Sequence, residues 1–269
     1  MSITGMVIPW ANTTFLRRFE EKRQELGMKW ILRRGYWGLI TASTGPIVRH
    51  LLRIEHTLQS ADNRGPTERP LEYAFALNSF SLTGYQDVLD VGPGRGAWPA
   101  TISNCGYHVT AIDEMRGYWS GGIVNHHFYV KRDDILAPKV NAKFGIITCL
   151  STLEHIPNHT RAVVSMAKLL KPHGILILSF PYNEQRYVPD IKLLTGAGYG
   201  RNARYITQVF SRTEVNGWIR ETGLELLQQR YYRVYTGDLW RFGKRLWPQE
   251  EASVNQPHHL SGIVFRKTS

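Results

Sequence analysis

The sequence predicts an α/β fold in which a mostly parallel β-sheet is flanked by helices. A short apolar run at residues 87–91 breaks at three glycines and continues as a helical segment. About 20 residues further on, a second apolar run ends in an acid, Asp113. Strand and helix patterns then alternate through residues 87–180, which indicates parallel strands joined by right-handed crossovers.

The glycine turn and the acid together predict a nucleoside site. Gly92, Gly94 and Gly96 have no Cβ, so the backbone can turn tightly and approach a ligand closely. The following helix offers unpaired N–H groups, and the Asp113 carboxylate suits ribose hydroxyls. Gly92, Gly94 and Ala97 also match the dinucleotide pattern G-x-G-x-x-A, so these residues alone leave a hydride-transfer enzyme open.

The composition is that of an ordinary globular protein with an excess of basic residues. The 269 residues can build one large core, and 42% of them are hydrophobic. The net charge of +11 favours an anionic partner: a nucleotide-bearing substrate, nucleic acid or a membrane surface. Two cysteines, the lack of a signal-peptide pattern and the lack of an apolar run of about 20 residues predict a cytoplasmic protein.

We expect a helical N-terminal extension, residues 1–65, followed by the α/β domain, residues 66–269. Apolar residues at helical spacing predict two helices in the extension, the second beginning at Pro46. Between them, residues 29–37 mix basic side chains with tryptophan. This pattern is typical of a helical cap on the core or of a segment in peripheral contact with a membrane.

The sequence of the first half of the α/β domain predicts four strands. A helix at residues 72–80 leads into the first strand. Residues 128–130 predict a short third strand, and the unbroken apolar run 144–150 predicts a central strand buried on both faces. Asn158 can cap the next helix, which a Pro-x-Gly sequence ends.

The second half predicts three more strands and a helix. Residues 175–180 form the fifth strand. Residues 211–214 have capping-box spacing ahead of a helix that Gly223 ends. Residues 224–235 and 260–266 predict two final strands joined by a polar loop.

Four blocks of the sequence together resemble the class I S-adenosylmethionine-dependent methyltransferases, and most closely the small-molecule branch that includes ubiquinone-biosynthesis methyltransferases. The blocks are residues 88–96 (VLDVGPGRG), Asp113, residues 144–157 (FGIITCLSTLEHIP) and residues 169–176 (LLKPHGIL). A dehydrogenase gives no reason for the last two. The resemblance implies a Rossmann-like, seven-stranded, mostly parallel sheet with an antiparallel last strand, and S-adenosylmethionine bound at the C-terminal ends of the first four strands.

The resemblance also implies roles for residues around the cofactor. Gly92, Gly94 and Gly96 would lie against its methionine portion. Asp90 would meet the ammonium of that portion, directly or through water, or would only cap the glycine turn. Asp113 would accept hydrogen bonds from both ribose hydroxyls.

Further cofactor contacts are implied by the ends of the second, third and fourth strands. Glu114 or Met115 would flank the adenine. Asp134, or its neighbour Asp133, would accept from the adenine amino group, although the pair could also form a solvated turn. Leu150 would contact the methionine moiety.

The expected reaction is O-methylation of a hydroxyl of a small molecule, such as a sugar of a surface glycan or a natural product. A hydroxyl acceptor benefits from a general base, and histidine has a suitable pKa range. His155 is the candidate base, because related sugar methyltransferases place acceptor-facing groups after the fourth strand; alternatively, Glu154 and His155 only brace the loop. A metal site is not expected, since Ser151 occupies the first position of the Glu-x-x-Glu-His cluster found in some RNA methyltransferases.

Acceptor contacts are expected from residues 182–205 and from the N-terminal extension. Tyr182, Arg186, Arg201 and Arg204 could recognise a phosphate or carboxylate, because arginine forks match planar anions. An acceptor linked to a nucleotide or a lipid phosphate would suit them. The same composition also fits an ordinary half-buried hairpin surface.

Three other functions remain open from the sequence. N-methylation of an amino sugar or another amine needs a base less, because a free amine already carries a lone pair. RNA methylation or nucleic-acid binding would use the positive charge, but the common RNA-binding motifs are missing. A non-catalytic scaffold is disfavoured by the intact glycines and Asp113.

Overall fold

The structure, a computed structural model, describes four stretches of the chain: residues 67–114, 125, 127–198 and 205–269. All of them belong to one compact unit, Pro66–Ser269. Within these stretches no helix combines the length and the apolarity that a membrane crossing needs. The predicted helical extension and three predicted site residues lie outside the described stretches: residues 1–65, Met115, Arg201 and Arg204.

An eight-stranded sheet forms the centre of this unit. In chain order its strands are β1 (Asp87–Val91), β2 (His108–Asp113), β3 (Val130–Arg132), β4 (Phe144–Leu150), β5 (Leu170–Pro181), β6 (Glu225–Tyr235), β7 (Arg245–Ala252) and β8 (Leu260–Arg266). Their order across the sheet is β3-β2-β1-β4-β5-β8-β6-β7. Strands β1 to β5 are parallel, and β8 lies antiparallel between β5 and β6. The predicted α/β fold with an antiparallel last strand is confirmed.

In the described part of the chain, four α-helices accompany the sheet: α1 (Arg69–Ser79), α2 (Trp98–Asn104), α3 (His159–Leu169) and α4 (Arg212–Thr222). The capping signals read from the sequence explain where two of them begin. The Asn158 side chain accepts from the Arg161 N–H at 3.2 Å, and Ser211 with Glu214 forms a capping box. Gly223, with φ +67°, ends α4 in the left-handed conformation that favours glycine.

The strand count predicted from the sequence is wrong. An additional strand, β7, pairs antiparallel with β6 from Tyr231↔Ala252 to Tyr235↔Arg245 and forms the outer edge of the sheet. Its side chains are exposed or half-buried, so it shows no apolar alternation, and it contains Pro248, which cannot donate a hydrogen bond to a neighbouring strand. Edge pairing depends on the partner strand and leaves little signal in composition.

Strand β4 is buried along its whole length, as its apolar run predicts. One face of the sheet packs on α3 and α4 through Met166 and Trp218. The other face packs on α1 and α2 through Phe75 and Trp98. Because β1, β2 and β4 are parallel neighbours, their C-terminal ends meet at one edge of this packed sheet.

Candidate active site

A cavity of about 650 Å³ lies at the C-terminal ends of β1, β2 and β4. Its walls come from the glycine turn after β1, the acids after β2, the loop after β3 and the turn after β4. Arg69 at the start of α1 and the pair Tyr205 and Ile206 complete the lining. Most of the predicted cofactor residues therefore meet at one place, although they are scattered along the sequence.

The glycine turn presents backbone to the cavity. Gly92 and Gly94 have φ angles of +73° and +54°, which side-chain-bearing residues rarely adopt. A Cβ on Gly92 would lie 2.1 Å from Cγ2 of Thr152, whose hydroxyl donates to the Gly92 carbonyl at 2.7 Å. The turn is thus fitted closely against the segment that follows β4, and nothing larger than glycine can occupy position 92 without displacing one of them.

Two side chains hold the outer part of the glycine turn. Asp113, at the tip of β2, accepts from the Gly94 N–H at 3.0 Å and lines the cavity. Asn125 donates from Nδ2 to the carbonyls of Gly94 and Gly96 at 3.0 and 2.9 Å. Asn125 could not be singled out from the sequence, because its segment carries no periodic pattern that would bring it to the turn.

Asp90, two residues before the glycine turn, is buried and is not among the residues that line the cavity. It is 2% exposed, and its Oδ1 accepts from the Thr148 hydroxyl at 2.7 Å. Its Oδ2 is buried without a hydrogen-bond partner among the described residues. Burial raises the pKa of Asp90 to about 7, against the opposing effect of the Thr148 hydrogen bond. A buried acceptor oxygen without a hydrogen-bond partner favours a nearby hydrogen-bond donor or cation.

The two acids after β3 line the cavity and also order their own loop. Asp133 accepts from the backbone N–H groups of Lys139 and Val140, both at 3.0 Å. Asp134 accepts from the Leu136 N–H at 2.8 Å. Both interpretations of this pair, an adenine contact and a turn, are therefore compatible with the geometry.

Leu150 is 5% exposed and packs in the core below the cavity, so its side chain is not part of the described lining. Its carbonyl instead accepts from Nη1 of Arg69 at 3.1 Å. Arg69 lies on the cavity wall and was missed in the sequence, where it precedes the helix predicted at residues 72–80. No local pattern pointed to it, because its position depends on packing against β4.

His155 lies on the cavity wall with one ring nitrogen occupied. Nδ1 lies 2.7 Å from the Ile206 carbonyl, which can only accept, so Nδ1 carries the proton and Nε2 of the neutral ring is the acceptor. Burial lowers the pKa of His155, and the nearby charges of Arg69, Lys192 and Arg241 lower it further. The ring is therefore neutral at pH 7.

Glu154 is a buried acid beside this histidine. It is 3% exposed, and its Oε1 lies 3.9 Å from Nε2 of His155. Burial raises the pKa of Glu154 to about 8. Since burial holds both groups in their neutral forms, the pair is not an ion pair at pH 7, despite its separation.

Replacing Glu154 with glutamine should make the protein more stable, and increasingly so as pH rises. The folded protein keeps the Glu154 proton up to about pH 8, whereas the unfolded chain loses it near pH 4, so stability falls with rising pH across this window. Glutamine does not titrate. The difference in unfolding free energy between Glu154→Gln and wild type should widen by up to about 1.4 kcal/mol per pH unit.

Chemical denaturation from pH 5 to pH 8 measures this effect. Glu225→Gln, at an exposed acid on β6, is the matched control for the loss of one carboxylate. A Glu154→Gln difference that is constant across the range would mean that Glu154 is ionised in the fold.

Two of the predicted acceptor residues, Tyr182 and Arg186, lie in the described stretches, and neither lines the cavity. Tyr182 has no exposed surface and donates to Glu184 at 2.7 Å, so it cannot contact an acceptor in this structure. Arg186 is exposed and is not among the lining residues. The apolar environment at the end of β5 explains the burial of Tyr182. Tyr205 and Ile206, later in the same segment, line the cavity instead.

The described residues do not form the geometry of a metal site. They contain no group of three histidine, cysteine or acidic side chains arranged to hold an ion. His159, at the start of α3, accepts on Nδ1 from the Trp218 indole at 3.0 Å. Its ring is therefore committed to the contact between α3 and α4.

The fold and the cavity define a class I S-adenosylmethionine-dependent methyltransferase. Residues 50–229 match the family described as a methyltransferase domain, and the chain belongs to this family. Its cofactor is S-adenosylmethionine, as the resemblance implied, and hydride transfer is set aside.

Individual relatives agree with this assignment. The chain is 30% identical over 185 residues to the ubiquinone biosynthesis O-methyltransferase of Xylella fastidiosa (strain M23), covering 61% of this chain and 73% of the relative. It is 29% identical over 172 residues to the enzyme of that name from Xanthomonas euvesicatoria pv. vesicatoria (strain 85-10), covering 58% and 70%.

A solved structure shares the fold. This is the Burkholderia thailandensis 1,6-didemethyltoxoflavin-N1-methyltransferase with bound 1,6-didemethyltoxoflavin and S-adenosylhomocysteine. The TM-score is 0.50 at 16% identity, covering 85% of this chain and 90% of that chain. At this identity the likeness concerns the fold alone.

Proposed function

We propose that this chain transfers a methyl group from S-adenosylmethionine to a hydroxyl of a small molecule. The observation that carries the proposal is the neutral His155 on the cavity wall, with Nδ1–H bound to the Ile206 carbonyl and Nε2 left as an acceptor. A hydroxyl acceptor needs such a group to take its proton. The relatives named ubiquinone biosynthesis O-methyltransferases support the same chemistry.

The described residues fit the cofactor at its amino-acid end. The three glycines of the turn from Gly92 to Gly96 expose its backbone to the cavity, which Pro93 and Arg95 also line, and Oδ2 of Asp90 is buried without a hydrogen-bond partner among the described residues. Asp90 would favour the methionine ammonium, directly or through water. Arg69 would bind the methionine carboxylate, because its guanidinium lies on the same wall.

The other end of the cavity fits the nucleoside. Asp113 would accept from the ribose hydroxyls while keeping its bond to the Gly94 N–H. Glu114 would lie beside the adenine, and Asp133 or Asp134 would accept from its amino group. When bound, the cofactor supplies an electrophilic methyl group on a sulfonium, so the main task of the protein is alignment.

His155 would then act on the acceptor hydroxyl. As the acceptor oxygen formed its bond to the methyl carbon and the methyl–sulfur bond broke to release S-adenosylhomocysteine, the hydroxyl proton would pass to Nε2, while Nδ1–H would stay on the Ile206 carbonyl. The lowered pKa makes His155 a weak base, so we assign it a modest share of the acceleration. Alignment of the two reactants supplies the larger share.

We also propose that the acceptor is negatively charged. The charges of Arg69, Lys192 and Arg241 all act on the His155 ring. The Lys192 ammonium lies 5.8 Å from the centre of the Tyr205 ring, which lines the cavity. Lys192 also pairs with Asp190 at 3.6 Å, and the remaining positive charge beside the His155 ring favours a phosphate or carboxylate on the acceptor, such as a nucleotide-linked or lipid-phosphate-linked hydroxyl.

His155→Ala should lower turnover about tenfold and leave the affinity for S-adenosylhomocysteine unchanged, because general-base catalysis by a weak base contributes less than the usual hundredfold. Transfer of labelled methyl to a panel of phenols, sugar phosphates, uncharged sugars and primary amines measures it. His108→Ala, at an exposed position at the opposite end of β2, is the control and should keep wild-type turnover. Full turnover in His155→Ala would remove His155 as the base, and labelling of amines alone would replace O-methylation by N-methylation.

A further inference from the structure

One buried carboxylate joins three elements around the amino-acid end of the cavity. Glu72, on α1, has a side chain with no exposed surface. Its Oε1 accepts from the hydroxyls of Ser151 and Ser179, the latter at 2.7 Å. Its Oε2 accepts from Nη1 of Arg69 at 3.2 Å. A single side chain thus connects α1 to the C-terminal ends of both β4 and β5.

The first partner of Glu72 is the cation on the cavity wall. Nη1 of Arg69 donates both to Glu72 and, at 3.1 Å, to the Leu150 carbonyl. These two acceptors hold the guanidinium in place. The Arg69 side chain is nevertheless 43% exposed and lines the cavity. An arginine held in this way loses less side-chain freedom when it binds an anion.

The second partner is a residue with an unusual backbone. Ser151 directly follows β4, lines the cavity and has φ +45°, in the left-handed region that costs a non-glycine residue about 1–2 kcal/mol. Its N–H donates to the Ser179 carbonyl at 2.9 Å, and its hydroxyl donates to Glu72. Such a conformation persists only where surrounding contacts hold it.

We propose that Glu72 is a positioning residue for the amino-acid end of S-adenosylmethionine: it fixes the Arg69 guanidinium and the left-handed turn at Ser151 in the arrangement that receives the methionine carboxylate. The inference rests on the proposed function, since it assumes that this end of the cavity binds the methionine portion. Glu72 is not among the cavity-lining residues, so it acts through its partners. If Glu72 had a merely structural role, its substitution would weaken the binding of all ligands equally. If it is a positioning residue, its substitution weakens the binding of ligands that carry the carboxylate and spares those that lack it.

Calorimetry with two ligands tests this discrimination. S-adenosylhomocysteine carries the amino-acid end, and 5′-methylthioadenosine lacks it. Glu72→Gln should raise the Kd for S-adenosylhomocysteine about tenfold, the loss expected when one hydrogen-bonded charged contact is misplaced. The Kd for 5′-methylthioadenosine should stay within about twofold of wild type, because the nucleoside contacts are made elsewhere in the cavity.

Glu68→Gln is the matched control. Glu68 is a neighbouring buried acid, but it pairs with Arg245 on β7 at 2.5 Å and is not among the cavity-lining residues. Its replacement should lower the melting temperature and change neither Kd. In a double-mutant cycle, Arg69→Gln should itself raise the Kd for S-adenosylhomocysteine. Adding Glu72→Gln to Arg69→Gln should then raise this Kd by a smaller factor than Glu72→Gln does in the wild-type protein.

Several outcomes would overturn the inference. An equal rise in the Kd of both ligands in Glu72→Gln would mean that Glu72 only supports the fold. An unchanged Kd for both ligands would mean that Glu72 has no role in binding. If Glu72→Gln does not fold, Glu72→Asp, which keeps the charge with a shorter reach, carries the same comparison. A wild-type protein that binds neither ligand would instead contradict the proposed function itself.

Discussion

Asp113→Asn is expected to weaken S-adenosylhomocysteine binding by at least about 100-fold. A carboxylate that accepts from two ribose hydroxyls makes two charge-assisted hydrogen bonds, each contributing about 1.5–3 kcal/mol. Asparagine keeps the shape but removes the charge and turns one acceptor into a donor. It also disturbs the bond from the Gly94 N–H, which Asp113 accepts at 3.0 Å. The lost charge and the disturbed glycine turn both weaken the binding of S-adenosylhomocysteine.

Isothermal titration calorimetry of the folded variant measures the loss, with Asp87→Asn as the control. Asp87 lies at the start of β1, where it accepts from the Gly145 N–H and pairs with Lys171, both at 2.9 Å. Its replacement should lower the melting temperature without changing the affinity. An Asp113→Asn variant that binds S-adenosylhomocysteine as tightly as wild type would contradict the assignment of this carboxylate to the ribose.

Gly92→Ala is expected to destabilise the protein by about 3 kcal/mol or more and to abolish measurable cofactor binding. A non-glycine residue at φ +73° costs about 1–2 kcal/mol, and the added Cβ would lie 2.1 Å from Cγ2 of Thr152. One of the two segments must move to relieve this overlap, and further strain is added. Since both segments line the cavity, either movement distorts the site.

Urea denaturation and calorimetry measure the two effects, and a second glycine separates their causes. Gly106 has φ +94°, and a Cβ added there would have nothing within 4 Å, so Gly106→Ala should show the backbone cost alone and bind normally. Adding Thr152→Ser to Gly92→Ala removes the methyl group that clashes while keeping the hydroxyl, and should restore part of the stability. Equal destabilisation in the Gly92 and Gly106 variants would show that the close packing against Thr152 does not matter.

The sequence by itself determined the fold class, the succession of the first five strands along the chain, the caps of two helices and the edge of the sheet at which the cavity lies. These features are local. Glycine spacing, the capping residue Asn158 and the unbroken apolar run of β4 act within a few residues of where they occur. The edge follows because parallel strands place their C-terminal ends together.

Only the tertiary structure decided which side chains reach the cavity and in what state. Glu72 meets Ser179 across 107 residues of sequence, and β7 became a strand only because β6 offered a free edge. The tautomer of His155 depends on the Ile206 carbonyl, and the burial of Tyr182 removed it from the acceptor site. Hydrogen bonding and burial of this kind are set by packing between distant segments, which leaves no periodic pattern in the chain.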